Sequence, residues 1–97
     1  MRVYIAGPMT GYPELNFPEF ERVTQRLRAA GYDVVSPHEV CPDKEMAWCD
    51  AMKRDIVVLL DCDGLVRLKG WEKSKGATLE HHIAKQLGLT IYDETDI

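Results

Sequence analysis

The chain holds three cysteines, Cys41, Cys49 and Cys62, with no C-x-x-C pair among them. An odd, scattered set excludes both a disulfide framework and a cysteine zinc site, which leaves buried or idle thiols. Positive charge is also scarce, since 12 lysines and arginines face 16 acidic residues for a net charge of -4. Without a basic excess, polymeric nucleic acid is not an expected partner. No apolar run reaches the ~20 residues of a membrane span, and the first one ends at Gly7-Pro8, too soon for a signal peptide. No membrane partner is expected, and a cytoplasmic location is. Neither the lysine-bearing phosphate loop nor the dinucleotide fingerprint occurs, and there is no internal repeat, low-complexity segment or linker. His81 and His82 are neighbours, so on a helix they point about 100° apart and cannot share a metal as a pair one turn apart would. No metal and no cofactor are expected.

What is present is an ordinary globular composition, 45% hydrophobic and 29% charged over 97 residues. That length makes one domain, residues 1–97, small enough that a homo-oligomer, a dimer or larger, would help to cover its apolar surface. Val3, Tyr4 and Ile5 mark Arg2 to Ala6 as a first, central strand covered on both faces, closed by Gly7-Pro8. The glycine- and proline-dense segment Gly7 to Leu15 reads as a loop over the carboxyl end of that strand. Asn16 is the expected helix cap, with Pro18 early in the helix and Phe17, Phe20, Val23, Leu27 and Ala30 on its apolar side up to Gly31. Tyr32 to Ser36 is a second strand, completing a β-α-β unit. His38 to Asp43 follows as a loop.

Lys44 to Leu60 fits one long helix, yet Ile56 to Leu60 also reads as a strand able to form a hairpin with Leu65 to Leu68. The helix keeps the α/β alternation and gives the third strand its crossover, so it is preferred. Leu65 to Leu68 is then the third parallel strand. A helix from Ala77, with Leu79, Ile83, Ala84 and Leu87 on its apolar side, stops at Gly88. Leu89 to Tyr92 is a fourth strand, followed by a short acidic tail.

The stretch Gly70-Trp71-Glu72-Lys73-Ser74-Lys75-Gly76-Ala77-Thr78-Leu79-Glu80 leaves a strand and enters a helix, the place where parallel α/β proteins bind ligands. Ser74, Gly76 and the first free amides of the helix can receive an anion. Glu80 follows Gly76 by one helical turn and lies on the same side. Read in isolation, Ser74 is equally an ordinary cap and Glu80 a first-turn acid. Asp55, an acid among Ile56, Val57 and Val58, needs solvent or a partner, and Tyr4 lies near the same sheet edge. Trp71 is placed to stack on a planar base. Two carboxylates and a tyrosine beside a glycine-bordered pocket fit glycosidic chemistry, in which one acid attacks the anomeric carbon and another group assists the leaving base.

Taken together, Val3-Tyr4-Ile5-Ala6-Gly7-Pro8-Met9-Thr10-Gly11, Asp55 with Asp63, and Ser74-Lys75-Gly76-Ala77-Thr78-Leu79-Glu80 resemble the nucleoside 2-deoxyribosyltransferase superfamily. The likeness runs from Arg2 to about Tyr92 and is nearest to short bacterial and phage members, with the motif order of the 2′-deoxynucleoside 5′-monophosphate N-hydrolases. The resemblance implies a flavodoxin- or Rossmann-like three-layer α/β sandwich with a mainly parallel sheet of about four strands. It implies Glu80 as the nucleophile at C1′ of the deoxyribose, Asp55 as the acid assisting the base or orienting the nucleophile, and Tyr4 as the residue positioning Glu80. Gly7, Pro8, Met9, Gly11, Asp63, Ser74 and Gly76 then belong to the substrate site, with Trp71 over the base. The expected partner is a small nucleoside or nucleotide, either cleaved or transferred. The alternative is a non-catalytic nucleotide-binding or regulatory module using the same pocket.

Overall fold

A computed structural model describes residues 1–97. Four strands, β1 (Arg2–Ala6), β2 (Asp33–Val35), β3 (Gly64–Arg67) and β4 (Thr90–Asp93), form one parallel sheet in the order β2-β1-β3-β4. The hydrophobic run in β1 is explained by its central place, since both of its faces are covered. Val3 and Ile5 join Phe20, Val23 and Leu27 on one side, while Tyr4 and Ala6 join Leu59, Ala77 and Ala84 on the other.

The first crossover, through α1 (Phe17–Ala29), steps from β1 to β2, and the next, through α3 (Trp48–Leu59), steps back past β1 to β3. Right-handed crossovers taken in opposite directions put their helices on opposite faces. The third, through α4 (Lys75–Gln86), continues in the second direction and shares the face of α3. This gives α1, the sheet, and α3 with α4 as three layers. The strand order reverses between β1 and β3, whose carboxyl ends lie side by side.

Several boundaries differ from the sequence expectation, each for a local reason. The alternative hairpin is absent, because β3 pairs in parallel with β1 and β4 and residues up to Leu59 stay helical. The helix begins at Trp48 rather than Lys44, since Asp43 Oδ1 accepts from the Glu45 amide at 2.9 Å and holds a turn there. Pro37 opens a short helix, α2 (Pro37–Val40), where a loop was expected. Asn16 does not cap α1 through its side chain; its amide donates to Pro8 O at 2.9 Å instead. With Glu14 and Leu15 it forms three successive left-handed residues, at φ 52, 53 and 62, that fold the Gly7 loop back over the sheet edge. Leu79 and Leu87 are exposed at 39% and 60%, because Gly76, Ala77, Glu80 and Ala84 take the inner face of α4. The acidic tail makes a 3-10 turn, Glu94–Asp96, whose carbonyl at Glu94 accepts from Arg26 at 2.6 Å. No helix is long and apolar enough to cross a membrane.

Candidate active site

A cleft of about 550 Å³ opens at the switch point, between the loop after β1 and the start of α4, with α3 as its third wall. Gly7 lets the chain leave β1 against β3, since a Cβ there would lie 2.8 Å from Leu68 Cβ. Across the cleft, α4 begins with Ser74, whose Oγ accepts from the Ala77 amide at 3.1 Å and so starts the helix at Lys75 rather than Ala77.

Two carboxyls line this cleft. Glu80, only 4% exposed, comes from the second turn of α4, and Asp55, 5% exposed, from the inner face of α3. Tyr4 is fully buried on the same face of the sheet and donates its hydroxyl to Glu80 Oε2 at 2.5 Å. Burial pushes the Glu80 carboxyl up to about 8, against the pull of the Tyr4 hydrogen bond, and Asp55 adds to the rise. Burial likewise lifts Asp55 to about 6, against a hydrogen bond from Cys41 at 3.7 Å. Tyr4 is held well above the ordinary phenol range by its own burial and by the two acids, and stays a donor.

Of the residues expected to bind substrate, Gly7, Pro8, Met9, Ser74 and Gly76 line the cleft. Gly11, Asp63 and Trp71 do not. Gly11 is exposed at the far side of its loop with φ 87. Asp63 sits at the amino end of the sheet, where its Oδ2 accepts from the Arg2 amide at 3.0 Å. Trp71 follows Gly70, whose φ of 88 turns the chain so that the indole packs on His81, with ring centroids 4.5 Å apart, and under the Arg67 guanidinium at 4.6 Å. It therefore cannot cover the pocket as expected. The indole in the cleft is Trp48, with Lys75 Nζ 4.2 Å above its ring. Its signal was readable: Trp48 precedes Asp55 by two helical turns and shares its face. Lys73 and Lys75 add two cations at the rim. A second lobe of about 160 Å³ adjoins the first along Trp48, Ala51 and Asp55 and is walled by Leu15, Phe17, Cys41 and Met46.

Away from the cleft, Glu21, His38 and Glu39 bring ligand atoms within 4.8 Å of one another. Arg28 already binds both oxygens of Glu39, at 2.8 and 2.6 Å, and His38 Nε2 lies 2.6 Å from Glu21 Oε2. The group is thus paired internally.

The cleft with its two buried acids lies at the switch point of a doubly wound parallel sheet, where open α/β sheets bind ligands. Residues 1–93 match the family described as Domain of unknown function (DUF4406), and the chain belongs to it. No curated protein matches it. Among solved structures it is similar to a 2-deoxyribosyltransferase from Bacillus psychrosaccharolyticus, at 21% identity and TM-score 0.74, over 96% of this chain and 71% of the other. A 2-desoxiribosyltransferase from Leishmania mexicana matches at 19% identity and TM-score 0.72, over 95% of this chain and 62% of the other. At these identities the shared property is the fold.

Proposed function

We propose that this protein cleaves or transfers at the N-glycosidic bond of a 2′-deoxynucleoside or its 5′-monophosphate. The observation that carries the reading is Glu80, buried at the cleft wall, fixed by Tyr4 and accompanied by a second buried acid. In the reaction the Glu80 carboxylate attacks C1′ of the sugar while the bond to the base breaks. The electron pair of that bond stays on the base nitrogen, which takes a proton from Asp55. Water or a second base, deprotonated by Asp55, then displaces Glu80 and restores both groups. Met9, Ser74 and Gly76 would contact the sugar, Lys73 and Lys75 a 5′-phosphate, and Trp48 the base. No cofactor enters these steps. The chain is taken to act as a cytoplasmic homo-oligomer, with the exposed Val57 of α3 and Leu79 of α4, and Leu60 and Leu87 just past the ends of these helices, as apolar surface for a second copy.

Catalysis on this scheme needs one proton on the pair of acids. Both groups are lifted, Asp55 to about 6 and Glu80 to about 8, so between those values the pair holds one proton that rests mainly on Glu80, and the reactive form is the one in which it has passed to Asp55. A bell-shaped kcat/KM profile with limbs near these two values is expected. The deciding experiment incubates the protein with a panel of deoxynucleosides and their 5′-monophosphates, with Glu80→Ala as control, and measures released base. Release by the wild type alone supports the proposal.

A ligand-sensing module is the second reading, and one observation favours it. Burial leaves Glu80 protonated at neutral pH, a poor state for a nucleophile. Equal nucleotide binding by wild type and Glu80→Ala, with no turnover by either, would establish it.

A further inference from the structure

An acid that protonates a leaving base needs a fixed orientation, and the surroundings of Asp55 leave one group to provide it. Tyr4 spends its hydroxyl on Glu80. Lys73 and Lys75 stand on the rim of the main lobe, Asp43 and Lys44 line the second lobe, and Arg54 precedes Asp55 on α3. The side-chain donor that reaches the carboxyl is the thiol of Cys41, 3.7 Å from Oδ1.

Cys41 is itself firmly placed. Its amide donates to Pro37 O at 2.9 Å as the last turn of α2 closes, and the residue is 7% exposed. Its sulfur also lies 3.9 Å from the Ala51 carbonyl, one turn before Asp55, so it occupies the seam between α2 and α3. We infer that Cys41 is a positioning residue for this site, its S–H donating to Oδ1 of Asp55 and leaving Oδ2 to carry the proton that the base receives. The inference rests on the acid role proposed for Asp55.

The choice of a thiol has a physical reason. An oxygen that already accepts a donor is the poorer home for a second proton, so the acid's proton goes to the other oxygen. A thiol is a weak donor and packs as an apolar group, so it orients the carboxyl without forcing it to ionise as two or three amide donors would. Burial therefore keeps the upper hand, and Asp55 stays near 6.

The test compares wild type, Cys41→Ala and Cys41→Ser by the pH profile of kcat/KM for base release. The Asp55 carboxyl carbon is titrated by NMR in each, a readout that needs no turnover. Loss of the donor in Cys41→Ala is expected to raise the acidic limb and the Asp55 titration by roughly half a pH unit, with the alkaline limb unmoved. Cys41→Ser, which keeps a donor, should return both most of the way. A purely packing role would change stability or kcat and move neither limb. An Asp55 titration unmoved in folded Cys41→Ala overturns the inference, as does a Cys41→Ser that behaves like Cys41→Ala. If the wild type releases no base while the Asp55 titration still shifts in Cys41→Ala, the proposed reaction falls and the thiol-to-acid contact is upheld.

Discussion

At the scale of single residues, Glu80, Asp55 and Tyr4 make separable predictions. Glu80→Ala should abolish base release, while Asp55→Asn, which keeps the shape but not the proton, should lower kcat by about 10²–10⁴. Tyr4→Phe removes the donor that pulls Glu80 down, so its alkaline limb should move up and its rate should fall roughly 10- to 100-fold. An alkaline limb that stays put would mean that Glu80 does not set it. The sequence pointed to these residues by different routes: Asp55 is an acid among apolar neighbours, Glu80 follows Gly76 by one helical turn, and Tyr4 lies near the same sheet edge, while their roles came from the resemblance. Trp71 and Trp48 show the limit of such reading. Spacing put Trp71 beside Ser74, yet the direction of its ring depends on the left-handed turn at Gly70, which no periodicity reports. Cys41, read as a buried or idle thiol, is buried, but its contact with Asp55 could not be read because that partner lies across a loop on another helix.

At the scale of elements, the α/β alternation was legible because each strand is a short apolar run between glycine or proline stops. The ends were less so, since side chains acting on the backbone set them: Asp43 delays α3, and Ser74 advances α4. The apolar side assigned to α4 held at Ile83 and Ala84 and failed at its two leucines. A leucine stripe is the normal signature of a buried face, but here small residues and Glu80 take that face and Leu79 is turned outward. Two substitutions test how these elements hold the cleft. Ser74→Ala should cost about 1 kcal/mol through loss of the cap on α4. Gly7→Ala should cost more, about 1–3 kcal/mol, because the new methyl meets Leu68 Cβ where β1 and β3 separate. Urea midpoints would rank them, and Gly7→Ala matching the wild type would show that the strand ends can spread.

At the scale of the whole molecule, the buried acids set how stability depends on pH. Asp55 and Glu80 hold their protons up to about 6 and about 8 in the folded state, while the unfolded chain releases them near the ordinary carboxyl value of about 4. The folded state binds more protons across that interval, so its stability falls as pH rises from about 4 to about 8. Other groups act in the opposite sense, His81 below its ordinary value of about 6.5 and two glutamates below theirs of about 4.5. Glu19 and Glu39 are held below the usual carboxylate range by hydrogen bonds from Arg22 and Arg28, and burial lowers His81, so acidification costs stability there. These groups are more exposed, so their share is small. Thermal stability should therefore peak on the acidic side of neutrality and decline toward about pH 8. Glu80→Gln, which cannot ionise, should remove most of that decline and melt above the wild type near pH 8. A variant whose midpoints run parallel to the wild type from about pH 6 to about 8 would show that Glu80 does not titrate there, and the alkaline limb proposed for catalysis would lose its group. The converse result ties the two properties together: the burial that makes Glu80 costly to the fold above neutrality keeps a single proton available to the two acids.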